Sequence, residues 1–257
     1  MERTVMPDGK IAIVTGGSRG IGRSAVLCLA RRGVRSILTY NTNRAEADKV
    51  VALAAEAGAA AMALKLDTGV ASSFEAFAGQ VRDALADMKA ERFDYLVNNA
   101  GTSSAASLSS ITEAEMDGLY SVHFKGPLFL TQALLPLMND GGRIVNISSG
   151  LARFTAPGRI GYGPIKAAVE SLTRYMAVEL GPRRIAVNVV APGAIATDFS
   201  GGMVRDMPQI NKLIADQTAL GRVGGPDDVG PVIAGLLADE FGWVNAQRIE
   251  VAGGIHI

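Results

Sequence analysis

Residues 11–22 read Ile11-Ala12-Ile13-Val14-Thr15-Gly16-Gly17-Ser18-Arg19-Gly20-Ile21-Gly22. A short apolar, β-branched run leads into a glycine cluster, and helical spacing begins where the cluster ends. The run 11–15 predicts a buried parallel strand. The spacing from Gly22 to Arg32 predicts a helix with a basic last turn, stopped by Gly33. A glycine turn between strand and helix lets the backbone approach a phosphate at the helix N-terminus. That strand–turn–helix context is what such a motif requires before it carries weight. The competing reading is a tight turn and nothing more.

Outward from this unit the alternation repeats. Residues 36–40 read as a second strand, and the Ala/Glu/Lys-rich stretch 43–57, ending before Gly58, as a helix. A third strand follows at 61–66. A helix over 72–90 has apolar positions at Phe74, Phe77, Val81, Leu85 and Met88. Residues 93–97 make a fourth strand. Helical character runs from about Glu113 through Leu137, with an interruption expected near Gly126 and Pro127. Strands at 143–147 and 185–191 flank a helix at 164–180 that ends at Gly181-Pro182. An irregular or partly helical insertion spans 194–220, before a helix at 227–238 and a last strand at 248–251. The pattern predicts an α/β fold, a Rossmann-type doubly wound parallel sheet of about seven strands with helices on both faces. With no linker and no repeat of fixed period, residues 1–257 read as a single domain.

Composition narrows the function classes. The chain has 30 Gly and 10 Pro in 257 residues with no Gly-x-y period, so collagen-like and low-complexity readings fail. An apolar share of 48% with 25 basic and 25 acidic residues excludes wholesale disorder and any global attraction to nucleic acid. The first ten residues are charged, broken by Pro7 and Gly9, and hold no apolar signal-peptide core. No apolar run reaches the roughly 18 residues of a membrane span. One cysteine, Cys28, expected in the core, cannot form an internal disulfide. No His/Cys/Asp cluster has metal-ligand spacing. The expectation is a cytoplasmic protein without metal, nucleic-acid or membrane partner.

The spacing Gly16-x-x-x-Gly20-x-Gly22 differs from the Gly-x-Gly-x-x-Gly of ordinary dinucleotide folds and resembles the signature of the short-chain dehydrogenase/reductase family. Four later motifs agree: Asn98-Asn99-Ala100-Gly101 after the fourth strand, Tyr162-x-x-x-Lys166, Ser149 thirteen positions before Tyr162, and Pro192-Gly193 after the sixth strand. The resemblance runs from about Lys10 to Gly254 and comes nearest to the 3-oxoacyl-carrier-protein reductase-like branch.

The resemblance implies a nicotinamide dinucleotide held by Gly16, Ser18, Arg19, Gly20, Ile21 and Gly22 at the first turn. It adds Asn41, Asn43 and Arg44 after the second strand and Asp67 after the third. Asn99, Ala100 and Gly101 follow the fourth strand; Pro192, Gly193, Ile195 and Thr197 follow the sixth; Tyr162 and Lys166 complete the set. An acid at the end of the second strand would bond ribose hydroxyls and repel a 2′-phosphate. Here that strand ends Tyr40-Asn41-Thr42-Asn43-Arg44, with Arg19 inside the glycine turn. Guanidinium groups suit a phosphate, so NADP(H) is expected. Arg44 facing solvent at a helix start and Asp67 as a helix cap before residue 70 are the plainer alternatives.

Hydride transfer to a ketone needs a proton donor and oxyanion stabilisation. Tyr162 and Lys166 stand four apart, on one helix face. An ammonium beside a phenol is expected to lower the tyrosine pKa toward neutrality. By resemblance, Tyr162 is the acid/base, Lys166 tunes it and binds ribose, and Ser149, with Ser148 as the neighbouring alternative, holds the substrate oxygen. Two departures stand out. His123 occupies the place of a family asparagine whose backbone carbonyl extends a proton relay, and is counted as a modified relay member. Pro164 lies between Tyr162 and Lys166 and can shift the helix start.

The segment from Ala194 to about Gly221 resembles the family's substrate loop, with Gly201 and Gly202 as hinges. Phe154, Phe199 and Met203, with Ser149, are expected to line the substrate. Arg153 and Arg159 read as solvated surface, and Trp243 as a packing residue. Relatives imply a homotetramer or homodimer, with the apolar tail ending at Ile257 buried at a subunit contact. The expected activity is NADP(H)-linked ketone or 3-oxoacyl reduction. A sugar or polyol dehydrogenase is the alternative enzyme, and a cofactor-binding regulatory protein without turnover the alternative of another class.

Overall fold

The computed structural model describes residues 9–257; residues 1–8, with Pro7 and most of the charged opening segment, lie outside the described residues. Seven strands, β1 (Ile11–Val14), β2 (Arg35–Tyr40), β3 (Ala61–Lys65), β4 (Phe93–Asn98), β5 (Met138–Ile147), β6 (Ala186–Pro192) and β7 (Arg248–Val251), form one sheet. Their order is β3-β2-β1-β4-β5-β6-β7, and every pairing is parallel. The helices are α1 (Gly20–Ala30), α2 (Arg44–Glu56), α3 (Phe74–Asp87), α4 (Glu113–Tyr120), α5 (Gly126–Leu134), α6 (Tyr162–Leu180), α7 (Met203–Asp206), α8 (Pro208–Asp216) and α9 (Pro226–Leu236).

The strands are apolar on both faces because both are covered. Ala12 and Val14 of β1 join a cluster with Leu29 of α1, Val50 of α2 and Ile233 of α9. Ile11 and Ile13 point the other way, into a cluster with Phe77 of α3, Leu134 of α5 and Leu180 of α6. Each such side chain, fully removed from water, contributes about 1.5–3 kcal/mol. Cys28 sits in the first cluster, unpaired. Strand order reverses between β1 and β4, and at such a switch point the loops at the strands' carboxyl ends part to leave a crevice. The loops after β1, β4, β5 and β6 all open there.

Several boundaries differ from expectation. Helix α1 begins at Gly20 rather than Gly22 and ends before Arg31 and Arg32, so its last turn is not basic. The expected break near Gly126 and Pro127 does not occur. The chain stays helical from Glu113 to Leu137 by inserting a π-helical turn at Ser121–Lys125, where the Gly126 N–H reaches back five residues to the Ser121 carbonyl. Pro127 is the second residue of α5, which follows the π-helical turn directly. Helix α6 starts at Tyr162 itself, two residues before the expected start. Trp243 is not a packing residue: it is fully exposed. No helix among the described residues is long and apolar enough to cross a membrane.

Candidate active site

The first turn is built by two loops stitched together. The Thr15 hydroxyl accepts the N–H groups of Asn99 (2.9 Å) and Ala100 (3.0 Å). The Asn99 amide donates to the carbonyls of Thr15 (2.8 Å) and Gly16 (3.2 Å). Asn98 faces away into the sheet, donating to Asn146 at 2.8 Å. The cradle tolerates no side chain: a Cβ on Gly22 would stand 2.4 Å from the Gly16 oxygen, and one on Gly16, at φ +62°, 3.0 Å from Ala100 Cα. Helix α1 has no side-chain cap and no acid in its first turn. Its leading N–H groups are therefore open to an anion, and the closed cradle brings backbone close to it. These features fit a dinucleotide diphosphate.

Around this turn Ser18 is buried and Ile21 half-buried. Thr197 comes to within 3.3 Å of where a Cβ on Gly20 would lie, so the loop after β6 closes onto the glycine turn. Gly193 is fixed by its N–H to the Val251 carbonyl (3.0 Å), next to Pro192 at the end of β6, and Ile195 bridges to Gly224. Arg19 already has a carboxylate: its Nη1 lies 3.2 Å from Asp198, a residue the sequence reading did not single out. Arg44 is exposed and 3.4 Å from Asp48. Both ion pairs lie at the surface, are worth about 1 kcal/mol or less, and are readily exchanged for a phosphate. Asn41 is exposed beside them, whereas Asn43 is the N-cap of α2, accepting the Glu46 N–H at 3.2 Å. Asp67 accepts the Gly69 N–H at 2.8 Å, closing a turn rather than capping the next helix, which starts after Val70.

Ser149, Tyr162 and Lys166 converge past the end of β5. Tyr162 and Lys166 are buried on successive turns of α6, with the Lys166 Nζ 5.5 Å from the Tyr162 ring centroid and donating to the Ile147 carbonyl at 2.8 Å. Ser148 turns to α6, 2.8 Å from the Glu170 carboxylate. Ser149 instead accepts the Leu151 N–H (3.2 Å) and turns its hydroxyl to Tyr162. The expected lowering of the Tyr162 pKa is not found. Burial pushes it up, and the Ser149 hydroxyl and the Arg159 guanidinium offset only part of that rise. Burial also lowers Lys166 to about 7, so the ammonium that should favour the phenolate is itself half lost. His123 is buried with Nε2 on the Thr102 carbonyl and its ring edge-on to Tyr162.

On the substrate side, Phe199 stands 6.0 Å from Tyr162, ring to ring, and Met203 is half-buried at the start of α7. Ser200 bonds Ser103 (2.9 Å) and Arg159 bonds the Ser104 carbonyl (2.9 Å), so residues 103–104 hold both the substrate loop and the stretch before Tyr162. These partners were missed, although Ser103-Ser104 follow the Asn98–Gly101 motif after a single residue, Thr102. Phe154 lies against Gly150, next to Ser149, and its ring packs on His256 (4.6 Å) under the Arg153 guanidinium. Arg153 is not free surface. It holds Glu250 and the carbonyls of Ile255 and His256, which pulls Phe154 toward the chain's tail. Helix α8 has no fully buried residue and exposes Leu213.

Residues 16–256 match a family model described as Enoyl-(Acyl carrier protein) reductase. A hydroxynaphthalene reductase-like protein of Metarhizium brunneum is 35% identical, covering 96% of this chain and 94% of its own length. Among solved structures, the promiscuous reductase LugOII, which catalyses keto-reduction at C1 during lugdunomycin biosynthesis, is 38% identical with a TM-score of 0.91, covering 98% of this chain and 99% of that one. The angucycline C-6 ketoreductase LanV, solved with bound NADP, is 32% identical with a TM-score of 0.92 and covers 98% of each chain.

Proposed function

The chain belongs to the short-chain dehydrogenase/reductase family, and from that footing we propose that its substrate is a ketone on a fused aromatic ring system. It is an oxidoreductase that transfers a hydride between NADP(H) and a carbonyl or alcohol carbon. The observation that carries the ring-system reading is Phe199, whose ring is held beside that of Tyr162 and offers a flat apolar wall next to the proton donor. The keto-reduction by LugOII and LanV and the likeness to a hydroxynaphthalene reductase-like protein support it.

Gly16, Gly22 and the open N-terminus of α1 would hold the diphosphate, and Arg19 and Arg44 the 2′-phosphate, with no acid at the end of β2 to oppose it. When bound, the reduced nicotinamide supplies the hydride. Ser149 donates a hydrogen bond to the ketone oxygen. Tyr162 gives its hydroxyl proton to that oxygen, leaving a phenolate and an alcohol. The protonated form of Lys166 stabilises the phenolate across the 5.5 Å separating it from the ring. The high pKa of Tyr162 keeps the proton on the hydroxyl until the oxygen develops charge.

One sheet takes strands from Ile11 to Val251, which supports reading residues 1–257 as one domain with its substrate loop at 194–221. The unpaired Cys28 supports a cytoplasmic setting. Exposed Tyr175 and Val178 on α6, Tyr120 stacked on Phe124 at 5.6 Å, and the exposed apolar tail at Ile257 are the surfaces that support a homodimer or homotetramer.

The test is an initial-rate grid: NADPH and NADH against fused-ring ketones, 3-oxoacyl thioesters and sugars, with Tyr162→Phe as control. The expected result is NADPH-driven turnover of the ring ketones, at least about tenfold above the others in kcat/KM, and a loss of about 10²–10⁴ in Tyr162→Phe. Preference for oxoacyl thioesters or sugars would overturn the substrate reading. Nucleotide binding without any turnover would favour a regulatory protein.

A further inference from the structure

The π-helical turn Ser121–Lys125 carries a residue the proton transfer above does not use. His123 is 2% exposed. Its Nε2 lies 2.7 Å from the Thr102 carbonyl oxygen and 3.2 Å from the Thr102 nitrogen. The shorter contact is a donation, so Nε2 holds the proton and Nδ1 the lone pair. Nδ1 is buried without a partner among the described residues. A proton there would place a second cation beside Lys166 in an apolar setting, and burial together with Lys166 holds the imidazole well below its usual range. The other titratable group against the ring is Tyr162, met edge-on at 5.4 Å and 88°. A group that stays neutral through the working range is poorly suited to relay protons.

What the imidazole does instead is visible in its contacts. Its Cε1 edge fills the space behind Gly101: a Cβ there would stand 2.7 Å from Cε1. The next residue, Thr102, is held through its backbone. Ser103 then holds Ser200 of the substrate loop, and the Ser104 carbonyl holds Arg159, three residues before Tyr162. Four consecutive residues, Gly101 to Ser104, thus link His123 to both walls of the ketone pocket.

We infer that His123 is a positioning residue, whose bond to Thr102 and ring contacts with Gly101 and Tyr162 set the Gly101–Ser104 loop against the proton donor and fix how the ketone sits. This rests on the reading of Tyr162 as the acid. The side chain at this position then acts through fit, and Gly101 and His123 form a matched pair.

The experiment uses the full chain as His123→Ala, His123→Asn, Gly101→Ala and the double variant Gly101→Ala/His123→Ala. It measures kcat and KM for a fused-ring ketone, the NADPH Kd by fluorescence, pH profiles, and hydrogen exchange of residues 101–106. In His123→Ala, KM rises about tenfold with NADPH Kd within about twofold. Its pH profile keeps its shape, and exchange in 101–106 quickens. His123→Asn recovers most of the loss, because an amide also donates to the Thr102 carbonyl. Gly101→Ala alone loses about tenfold or more, and removing the imidazole in the double variant restores part of it. The inference is overturned if His123→Ala removes a limb of the pH profile at unchanged KM, if the two substitutions simply multiply, or if exchange does not change. Should His123→Ala fail to fold, His123→Asn and Gly101→Ala decide by KM and exchange. Full activity in Tyr162→Phe would sink the acid reading alone, since exchange of the loop reads the His123–Thr102 link without turnover.

Discussion

Lys166 shows how far a residue's chemistry departs from what its spacing announces. Four residues from Tyr162 on a helix, it shares a face with the tyrosine, and the resemblance to the family marks the two as a pair. Its charge state does not follow from spacing, because burial removes the water that would solvate an ammonium, and the pKa falls to about 7. The sign of the stability effect follows. Below about pH 7 the lysine is charged in both folded and unfolded chains, and the folded state bears the whole cost of burying it. Above that pH the folded chain releases the proton while the unfolded chain keeps it, so this group's contribution to stability rises with pH up to the ordinary lysine range. Lys166→Met is therefore expected to be more stable than the parent near pH 6.5, with the gap narrowing toward about pH 9.5. Thermal unfolding across that range, without nucleotide, measures it; a constant gap would contradict the buried-ammonium account. Ser149 makes the complementary point. A thirteen-residue spacing selects it over Ser148, and the structure supplies the reason: Ser148 is taken by Glu170.

At the scale of elements, α6 answers the question Pro164 raises. The helix starts at Tyr162 and runs unbroken to Leu180, so Pro164 falls in the first turn, where no intrahelical N–H is needed. The N–H of Gly163, just before it, reaches the Arg159 carbonyl at 3.0 Å, so the turn closes one residue ahead of the proline. Proline at a compatible position stabilises mainly by restricting the unfolded chain. Pro164→Ala is thus expected to lower stability by about 0.4–1 kcal/mol while leaving kcat near the parent value. Denaturant midpoints beside steady-state rates test this, and a large fall in kcat would mean that the proline sets the Tyr162 geometry. The π-helical turn before α5 was not legible in the same way. Gly126-Pro127 announces a disturbance, but a break and an inserted residue carry the same local signal. The choice depended on space beside β4, where His123 could be buried against Thr102.

Across the whole molecule, a chain of charges ties the site to the last strand and the tail. Ser148 and Arg248 share the Glu170 carboxylate, Arg248 also reaches Glu250 (3.1 Å), and Glu250 holds Arg153, which clamps the carbonyls of Ile255 and His256. Arg248 and Glu170 are largely removed from solvent, so losing the guanidinium leaves Glu170 without a cation, held only by the Ser148 hydroxyl, while Glu250 keeps Arg153. Arg248→Ala is expected to cost on the order of 2 kcal/mol, more than an exposed pair would. Urea unfolding measures it, and a change below about 0.5 kcal/mol would place the network with the surface pairs. By itself the sequence determined the architecture and the order of loops at the switch point, and it picked out Ser149, Tyr162 and Lys166 as the candidate set. Those are carried by local alternation, by glycines where backbones meet, and by fixed spacings along one chain. Only the tertiary structure decided that Phe154 turns to the tail, that Arg19 meets Asp198, that Trp243 is exposed, and that burial raises the Tyr162 pKa rather than lowering it. Partners distant in sequence and the loss of solvent set those outcomes, and neither leaves a periodic trace in the residues themselves.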